Sequence, residues 1–294
     1  MKREFLLVIN PVAGKKDKDK LLAQTKHYLN QHSFAYQTFF TRRKGHAIEY
    51  LQKSLLDRYT DIIVIGGDGT VNEVLNGLKS KNHSIPISII PTGTGNDYIK
   101  SLPFPKTLAE QLEVAAFGRC LAVDIGRCNG RYFLNTMGFG FDGKVVATME
   151  ERGKRFGGHL AYLYTVLHTV TRFSEPQVRF IIDGKERKER IFLMAINNGT
   201  TYGGGFKITP NAQVDDGFFN VCLIKKISVW RRFLNLPKLQ KGTHTQIKEV
   251  EMLQCQSLLI DYAPHIQAHI DGEFIGSPPY EVQILPKAQL VRVK

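Results

Sequence analysis

The stretch Val64–Gly77, VIGGDGTVNEVLNG, presses three glycines around one aspartate and follows them with Thr70, Asn72 and Glu73. Glycine takes the Cβ out of the path of a ligand, so backbone N–H groups can reach an anion, and a helix beginning at Val71 adds its positive N-terminal end. The turn is suited to phosphate. Asp68 adds a second requirement. A carboxylate among phosphate-binding amides repels the ligand unless a cation lies between them, and Mg²⁺ commonly bridges one or two carboxylates and phosphate oxygens. Asp97 and Asp124, each at a strand end, could serve the same ion, whereas simple helix capping is the alternative use of Asp68 and Asp97.

Two more loops share this character, Asn10-Pro11-Val12-Ala13-Gly14 and Pro91-Thr92-Gly93-Thr94-Gly95-Asn96-Asp97. Competing motifs fail. Gly14-Lys15-Lys16 lacks the upstream glycine and the Ser/Thr of a Walker A loop. Gly138-Phe139-Gly140-Phe141-Asp142-Gly143 matches GxGxxG after a strand, yet no acidic residue follows about 20 positions on to hold a ribose. His265 and His269 share a strand face without a third zinc ligand, which favours ordinary sheet histidines.

The elements that must position these loops read as alternating strands and helices. Phe5–Ile9 is a continuous apolar run and Tyr36–Phe40, Ile62–Ile65 and Ile87–Ile90 are further strand candidates, each followed by a segment of helical spacing: Lys18–Asn30, Gly45–Leu56, Val71–Leu78 and Thr107–Phe117. Such alternation predicts a parallel sheet covered on both faces, with ligands beyond the carboxyl ends of its strands. All three loops would then open towards one crevice. After Val123 the pattern becomes mostly strands (Val178–Ile182, Ile191–Ile196, Phe218–Ile224, Leu258–Tyr262, Ile266–Ile270, Tyr280–Leu285 and Gln289–Val293), with helices near 141–150, 159–173 and 229–239. This favours a mainly antiparallel sandwich or barrel. The expected fold is α/β in two domains, residues 1–125 with a returning segment 285–294, and residues 126–284, joined by a short connection near 124–127.

Composition agrees. Of 294 residues, 43% are hydrophobic and 23% charged, which excludes disordered and fibrous classes. A formal charge of +13 points to an anionic partner: nucleotide, nucleic acid or membrane surface. The four cysteines form no CxxC pair or disulfide framework, as expected of a reducing cytoplasm. The apolar run after Glu4 is too short for a signal peptide, and the candidate helix 159–173 falls short of the roughly 20 residues that span a bilayer. Membrane contact, if made, is then peripheral.

In order and spacing, NPVAG (10–14), GGDGTVNEVLNG (66–77), PTGTGND (91–97), GGG…PNAQVDDG (203–217) and DGE (271–273) resemble the bacterial diacylglycerol kinase-like lipid kinases, relatives of sphingosine and ceramide kinases. The resemblance covers nearly the whole chain. NAD kinases and phosphofructokinases have loops like GGDGT, but PTGTGND and the early NP–G motif favour the lipid kinases. The resemblance implies an NAD kinase/phosphofructokinase-like nucleotide domain, an ATP site between the domains, and a β-sandwich that takes the lipid. By motif match the nucleotide contacts are Asn10, Pro11, Val12, Ala13, Gly14, Thr41, Gly66, Gly67, Asp68, Gly69, Thr70, Val71, Asn72, Thr94 and Asn96. Asp68, Asp97 and Asp124 would organise catalytic Mg²⁺. A second cation would be held by Asp216 and the carbonyls of Gln213 and Phe218, unless the extra carboxylate of Asp215 serves instead or the loop is a plain Asp-Gly hairpin.

Glu273 would act as general base, since an alcohol needs a proton acceptor as its bond to the γ-phosphorus forms. Asp271 is the rival, because strand periodicity puts it on the same side, and a solvated hairpin turn is the structural alternative. The implied activity is ATP-dependent, Mg²⁺-dependent transfer to a hydroxyl of diacylglycerol or a related lipid, by a cytoplasmic, peripherally membrane-associated enzyme. A soluble-metabolite kinase of the NAD kinase type is the alternative. A nucleic-acid partner finds no aromatic-and-basic recognition motif. Lys225–Lys248 holds seven Lys or Arg and no acid, and Trp230-Arg231-Arg232-Phe233-Leu234 has the mixture of an interfacial helix, the other reading being a solvated basic face with Trp230 in the core. An exposed strand edge in the second domain would admit a homodimer.

Overall fold

A computed structural model describes residues 3–152, 159–263 and 266–294. The chain divides into two units, Met1–Ile125 with Pro286–Lys294, and Gly126–Leu285.

In the first unit, β1 (Glu4–Ile9), α1 (Lys18–Gln31), β2 (Ala35–Phe40), α2 (His46–Lys53), β3 (Asp61–Gly66), α3 (Asp68–Lys79), β4 (Ile87–Pro91) and α4 (Leu108–Phe117) follow one another. The strands pair in parallel in the order β2-β1-β3-β4. The end of β15 (Tyr280–Val293) adds a parallel neighbour to β4 through Val291 and Ile87. Strands β3 and β4 are buried throughout, which is why they are mainly apolar and do not alternate with exposed polar residues. Phe5, Leu7 and Ile9 of β1 join Ile63 and Ile65 of β3, Leu22 and Leu29 of α1 and Leu112 of α4 in one core. Leu6, Val8, Ile62 and Val64, equally buried, face the opposite side, as period-2 geometry requires.

The strand β5 (Arg119–Cys128) runs straight through residues 124–127, so the expected short connection is part of a strand. The second unit continues with β6 (Arg131–Phe133), β7 (Thr136–Gly140), α5 (Phe141–Arg152), α6 (His159–Arg172), β8 (Gln177–Ile182), β9 (Lys185–Asn197), β10 (Phe219–Lys225), α7 (Val229–Lys241), β11 (Val250–Cys255), β12 (Ser257–Tyr262), β13 (Ala268–Ile270) and β14 (Glu273–Gly276). Strands β7 to β14 pair antiparallel throughout. The long β9 serves two layers of this sandwich-like unit. Its charged first half pairs with β8, and its buried second half pairs with β7 and β10. Phe133, Met137, Phe139, Phe180, Ile196, Phe219 and Tyr280 are among the side chains that fill the core. A second cluster sets Val170, Phe173 and Phe233 of the helical side against Phe192, Leu193 and Cys222. The two C-terminal strands read from the sequence are one, because β15 continues through Pro286 and a left-handed Lys287. All four cysteines are free.

Candidate active site

Register brings the three loops of the first unit together. Ile9 lies opposite Phe40 and Ile65, and Gly66 lies opposite Pro91. Thr41, Asn10, Gly66 and Pro91 therefore leave four adjacent strands at one level, and the Thr41 N–H donates to the Ile9 carbonyl at 2.8 Å. The strand order reverses between β1 and β3, the switch point at which open parallel sheets bind ligands.

Most of the glycines serve loop-on-loop packing, a role more specific than the general access to anions expected of them. A Cβ on Gly14, already at φ +62°, would overlap the Thr92 carbonyl; one on Gly93 would stand 2.7 Å from Gly67 Cα; and one on Gly66 would stand 2.6 Å from Thr70 Cβ. Gly69 is different, with open space where a side chain would be, at the first turn of α3. Polar contacts tie the loops together: Asn10 Nδ2 donates to Thr70 Oγ1 at 3.0 Å, Lys16 Nζ to the Pro91 carbonyl at 2.8 Å, and the Thr92 N–H to the Gly66 carbonyl at 2.9 Å. Asn96, at φ +46°, donates to the Gly93 carbonyl at 2.7 Å. Pro11, Val12, Gly14 and Thr94 are exposed and Ala13 is half-buried, while Thr41, Val71 and Asn72 are buried. The motif's Glu73 has a structural task invisible in the sequence, accepting the Gly45 and Ala47 N–H groups at 2.7 and 3.1 Å and so capping α2.

Asp68 does not cap its own helix, where Gly67 is the N-cap residue and no side chain caps. Its carboxylate accepts the N–H groups of Asp97 and Tyr98 at 3.1 and 3.4 Å. The Asp68 and Asp97 carboxylates flank Gly95, each with an oxygen 3.3 Å from where a Cβ would stand. Asp97 also pairs with Lys100 at 2.6 Å. Burial pushes the Asp68 carboxyl above its ordinary range, the adjacent Asp97 charge adds to this, and the two N–H donors and Lys100 oppose it. Asp124 is used elsewhere: fully buried, it accepts the Lys287 N–H at 2.7 Å and fastens the segment Pro286–Lys294. Among the described residues no three His, Cys, Asp or Glu side chains converge on a metal position, so Asp124 does not complete a triad with Asp68 and Asp97. The remaining pair still fits Mg²⁺, which takes one or two carboxylates and fills its other positions with water and phosphate.

In the second unit, Asp271 and Gly272, at φ +46° and +84°, form the two-residue turn of a hairpin in which Ile270 opposes Glu273. Asp271 belongs to the turn and not to the strand, so the alternation that set it beside Glu273 does not extend to it. Its carboxylate accepts three N–H groups, from Leu134, Asn135 and Thr136, at 3.1, 3.2 and 2.9 Å. Asp271→Ala is expected to strand these donors at about 1–3 kcal/mol each where they stay dry, and a fall in Tm by calorimetry measures the loss. Glu273 is 18% exposed and pairs with Arg131 at 3.2 Å.

The loop at residues 213–218 is a turn in which Asp216 accepts the Phe218 N–H at 3.0 Å, with Gly217 at φ +80° and with Gln213, Asp215 and Phe218 exposed. No three-acid group gathers there among the described residues. His265 lies outside the described residues, and His269 is buried beside Asp142. On α7, Trp230 is 72% exposed, contrary to the reading that placed it in the core. Arg232 is not a surface cation. It is buried, pairs with Glu175 at 2.6 Å and donates to the Ile227 carbonyl at 3.1 Å. Glu175 stands 57 positions away in sequence, which hides this pairing from local pattern.

The diacylglycerol kinase catalytic domain matches residues 4–128, and the YegS C-terminal NAD kinase beta sandwich-like domain matches residues 135–293. A diacylglycerol kinase of Staphylococcus carnosus (strain TM300) is 27% identical over 279 residues, covering 95% of this chain and 91% of that protein. One of Bacillus subtilis (strain 168) is 27% identical over 277 residues, covering 94% and 91%. The crystal structure of a diacylglycerol kinase from Bacillus anthracis str. Sterne shares the fold with a TM-score of 0.77 at 24% identity, over 99% of this chain and 97% of that one. With these two domain families matched over residues 4–128 and 135–293, the chain belongs to the bacterial diacylglycerol kinase-like lipid kinases and is an ATP-using phosphotransferase.

Proposed function

We propose that the enzyme transfers the γ-phosphoryl group of ATP to a hydroxyl of diacylglycerol or a related lipid at a membrane surface. The observation that carries this reading is the convergence of the 10–14, 66–70 and 91–97 loops at one sheet edge, with two carboxylates flanking Gly95. The N–H groups at the positive end of α3, beside the open space at Gly69, bind phosphate oxygens. The exposed Pro11–Val12 lip and Thr94 border the nucleotide. Asp68 and Asp97 would hold Mg²⁺, which when bound neutralises charge building on the phosphates. Glu273 accepts the proton of the lipid hydroxyl, and Asp271 holds the turn that presents it. With [γ-³²P]ATP and a panel of diacylglycerol, phosphatidylglycerol, undecaprenol, a sphingoid base and NAD, label should enter a lipid. Label in NAD alone would establish the soluble-metabolite reading instead.

Membrane contact is proposed for α7. Trp230, Leu234 and Pro237 follow at i, i+4 and i+7 on the outward face, and Lys241 continues the stripe. Beside it Arg231, Asn235, Lys238, Thr243 and Lys248 line a cavity of about 440 Å³, a cationic recess suited to an anionic headgroup. No helix of the described residues is long and apolar enough to cross a membrane. Because Arg232 is buried, charge reversal there would test folding, so Trp230→Ser/Leu234→Ser is the informative variant. It should weaken binding to anionic vesicles by tenfold or so, and wild-type binding should fall as salt rises. Vesicle binding indifferent to both would reject the site. The free edge of β11, paired on one side only among the described strands, is where a homodimer would extend the sheet.

A further inference from the structure

The Gly138–Gly143 match to GxGxxG and the buried His269 take no part in the chemistry above, yet they form one arrangement. Asp142, in the first turn of α5, is buried, as are Tyr202 and His269. Its Oδ2 accepts the Tyr202 hydroxyl at 2.7 Å and stands 3.3 Å from His269 Nε2; its Oδ1 accepts the Gly143 N–H at 2.8 Å. A Cβ on Gly138 would overlap both Asp142 Oδ2 and His269 Nε2, and one on Gly143 would overlap the Gln267 carbonyl. Gly138 therefore makes room for a buried acid–imidazole pair, Gly143 for the Gln267 backbone and Gly140 for a positive φ, and no dinucleotide is needed to explain them.

The other imidazole nitrogen faces the hairpin. His269 Nδ1 accepts the Gly272 N–H at 3.3 Å, so Nδ1 carries the lone pair and Nε2 carries the proton towards Asp142. Gly272 is the residue before Glu273. The turn is thus held from two sides, by the Asp271 carboxylate on the Leu134–Thr136 amides and by His269 on Gly272. An Asp-Gly pair with two left-handed residues closes a hairpin without such help, and burying a carboxylate is costly unless its partners are in place. We propose that Asp142, His269 and Tyr202 are positioning residues for Glu273: the carboxylate and hydroxyl fix the ring's tautomer and orientation, and the ring fixes the amide next to the base. This rests on Glu273 as the proton acceptor.

The test compares Glu273→Gln, Asp142→Asn, Tyr202→Phe, His269→Asn and His269→Gln for kcat, KM for ATP and Tm. His269→Asn keeps an acceptor at the Nδ1 position, whereas His269→Gln keeps a donor towards Asp142 and loses that acceptor. Displacement of a reacting group by about 1 Å costs on the order of 10²-fold, so Asp142→Asn and His269→Gln are expected to lower kcat by about 10- to 100-fold with KM for ATP unchanged. His269→Asn should retain more turnover than His269→Gln. Tyr202→Phe, a smaller change that keeps the fold, should lower kcat severalfold. Wild-type kcat in Tyr202→Phe and in the folded Asp142 and His269 variants, beside an inactive Glu273→Gln, would overturn the positioning role alone. Wild-type kcat in Glu273→Gln would remove the base, and the proposal with it.

Discussion

Asp68→Asn is expected to lower turnover by about 10²- to 10³-fold, the several kcal/mol by which charge neutralisation at a phosphoryl group assists transfer. The amide keeps the shape and one oxygen for the Asp97 or Tyr98 N–H, so the fold should survive. Stability at neutral pH should hold or rise. Burial raises the Asp68 carboxyl, so the folded protein binds its proton more tightly than the unfolded chain does. Stability therefore declines as pH rises from the ordinary carboxylate value of about 3.9 through the raised folded value, and asparagine removes that decline. Differential scanning fluorimetry adds a readout apart from turnover: MgATP should raise the Tm of the wild type, and by less in the variant. Near-normal turnover of Asp68→Asn at saturating Mg²⁺ would reject the role.

Glu273→Gln should lower kcat by about 10²- to 10⁴-fold while KM for ATP changes little, because the amide retains the volume and loses the basicity. Asp271→Asn should behave differently. The side chain that accepts three amides would lose part of that set, and the loss should register in Tm before it registers in chemistry. A normal Glu273→Gln beside a dead but well-folded Asp271→Asn would transfer the base to Asp271. Normal turnover in both would make the turn purely structural.

The parallel half of the fold is legible because β1, β3 and β4 are buried on both faces and are dominated by Ile, Val, Leu and Phe, with Ser88 the polar residue inside β4. In the second unit burial differs from strand to strand, from β7 and β10, buried on both faces, to the alternating β8, and the signal fades. The first half of β9, KERKER, is exposed and charged, so its strand state rests on pairing with β8 and not on hydrophobic pattern. The strands β7, with two glycines in five residues, and β11, with Glu and Gln among its six, lack the continuous apolar run that marks a strand in sequence. The loops were legible in composition. Their convergence was not, since it depends on the registers Ile9–Ile65 and Gly66–Pro91. Long-range partners defeated local reading most clearly: Arg232 seeks Glu175, Asp124 holds Lys287, and Glu73 caps a helix that begins 27 positions earlier.

The first unit draws on residues from both sides of the second. Its sheet takes Val291 beside Ile87, its Asp124 takes the Lys287 amide, and its Asp61 pairs with Arg292 as well as Arg3. On the ribosome these partners appear only after Gly126–Leu285 has been made. Residues 1–125 emerge first but wait while Gly126–Leu285 is made, on the order of 10–30 s at about 5–20 residues per second. During that interval β4 has a neighbour on the β3 side only, Asp61 has Arg3 but not yet Arg292, and Asp124 has not yet met the Lys287 amide. An open strand edge is a template for pairing with other chains, so the β4 edge is the expected aggregation liability of the unfinished nucleotide-loop unit until the returning segment covers it.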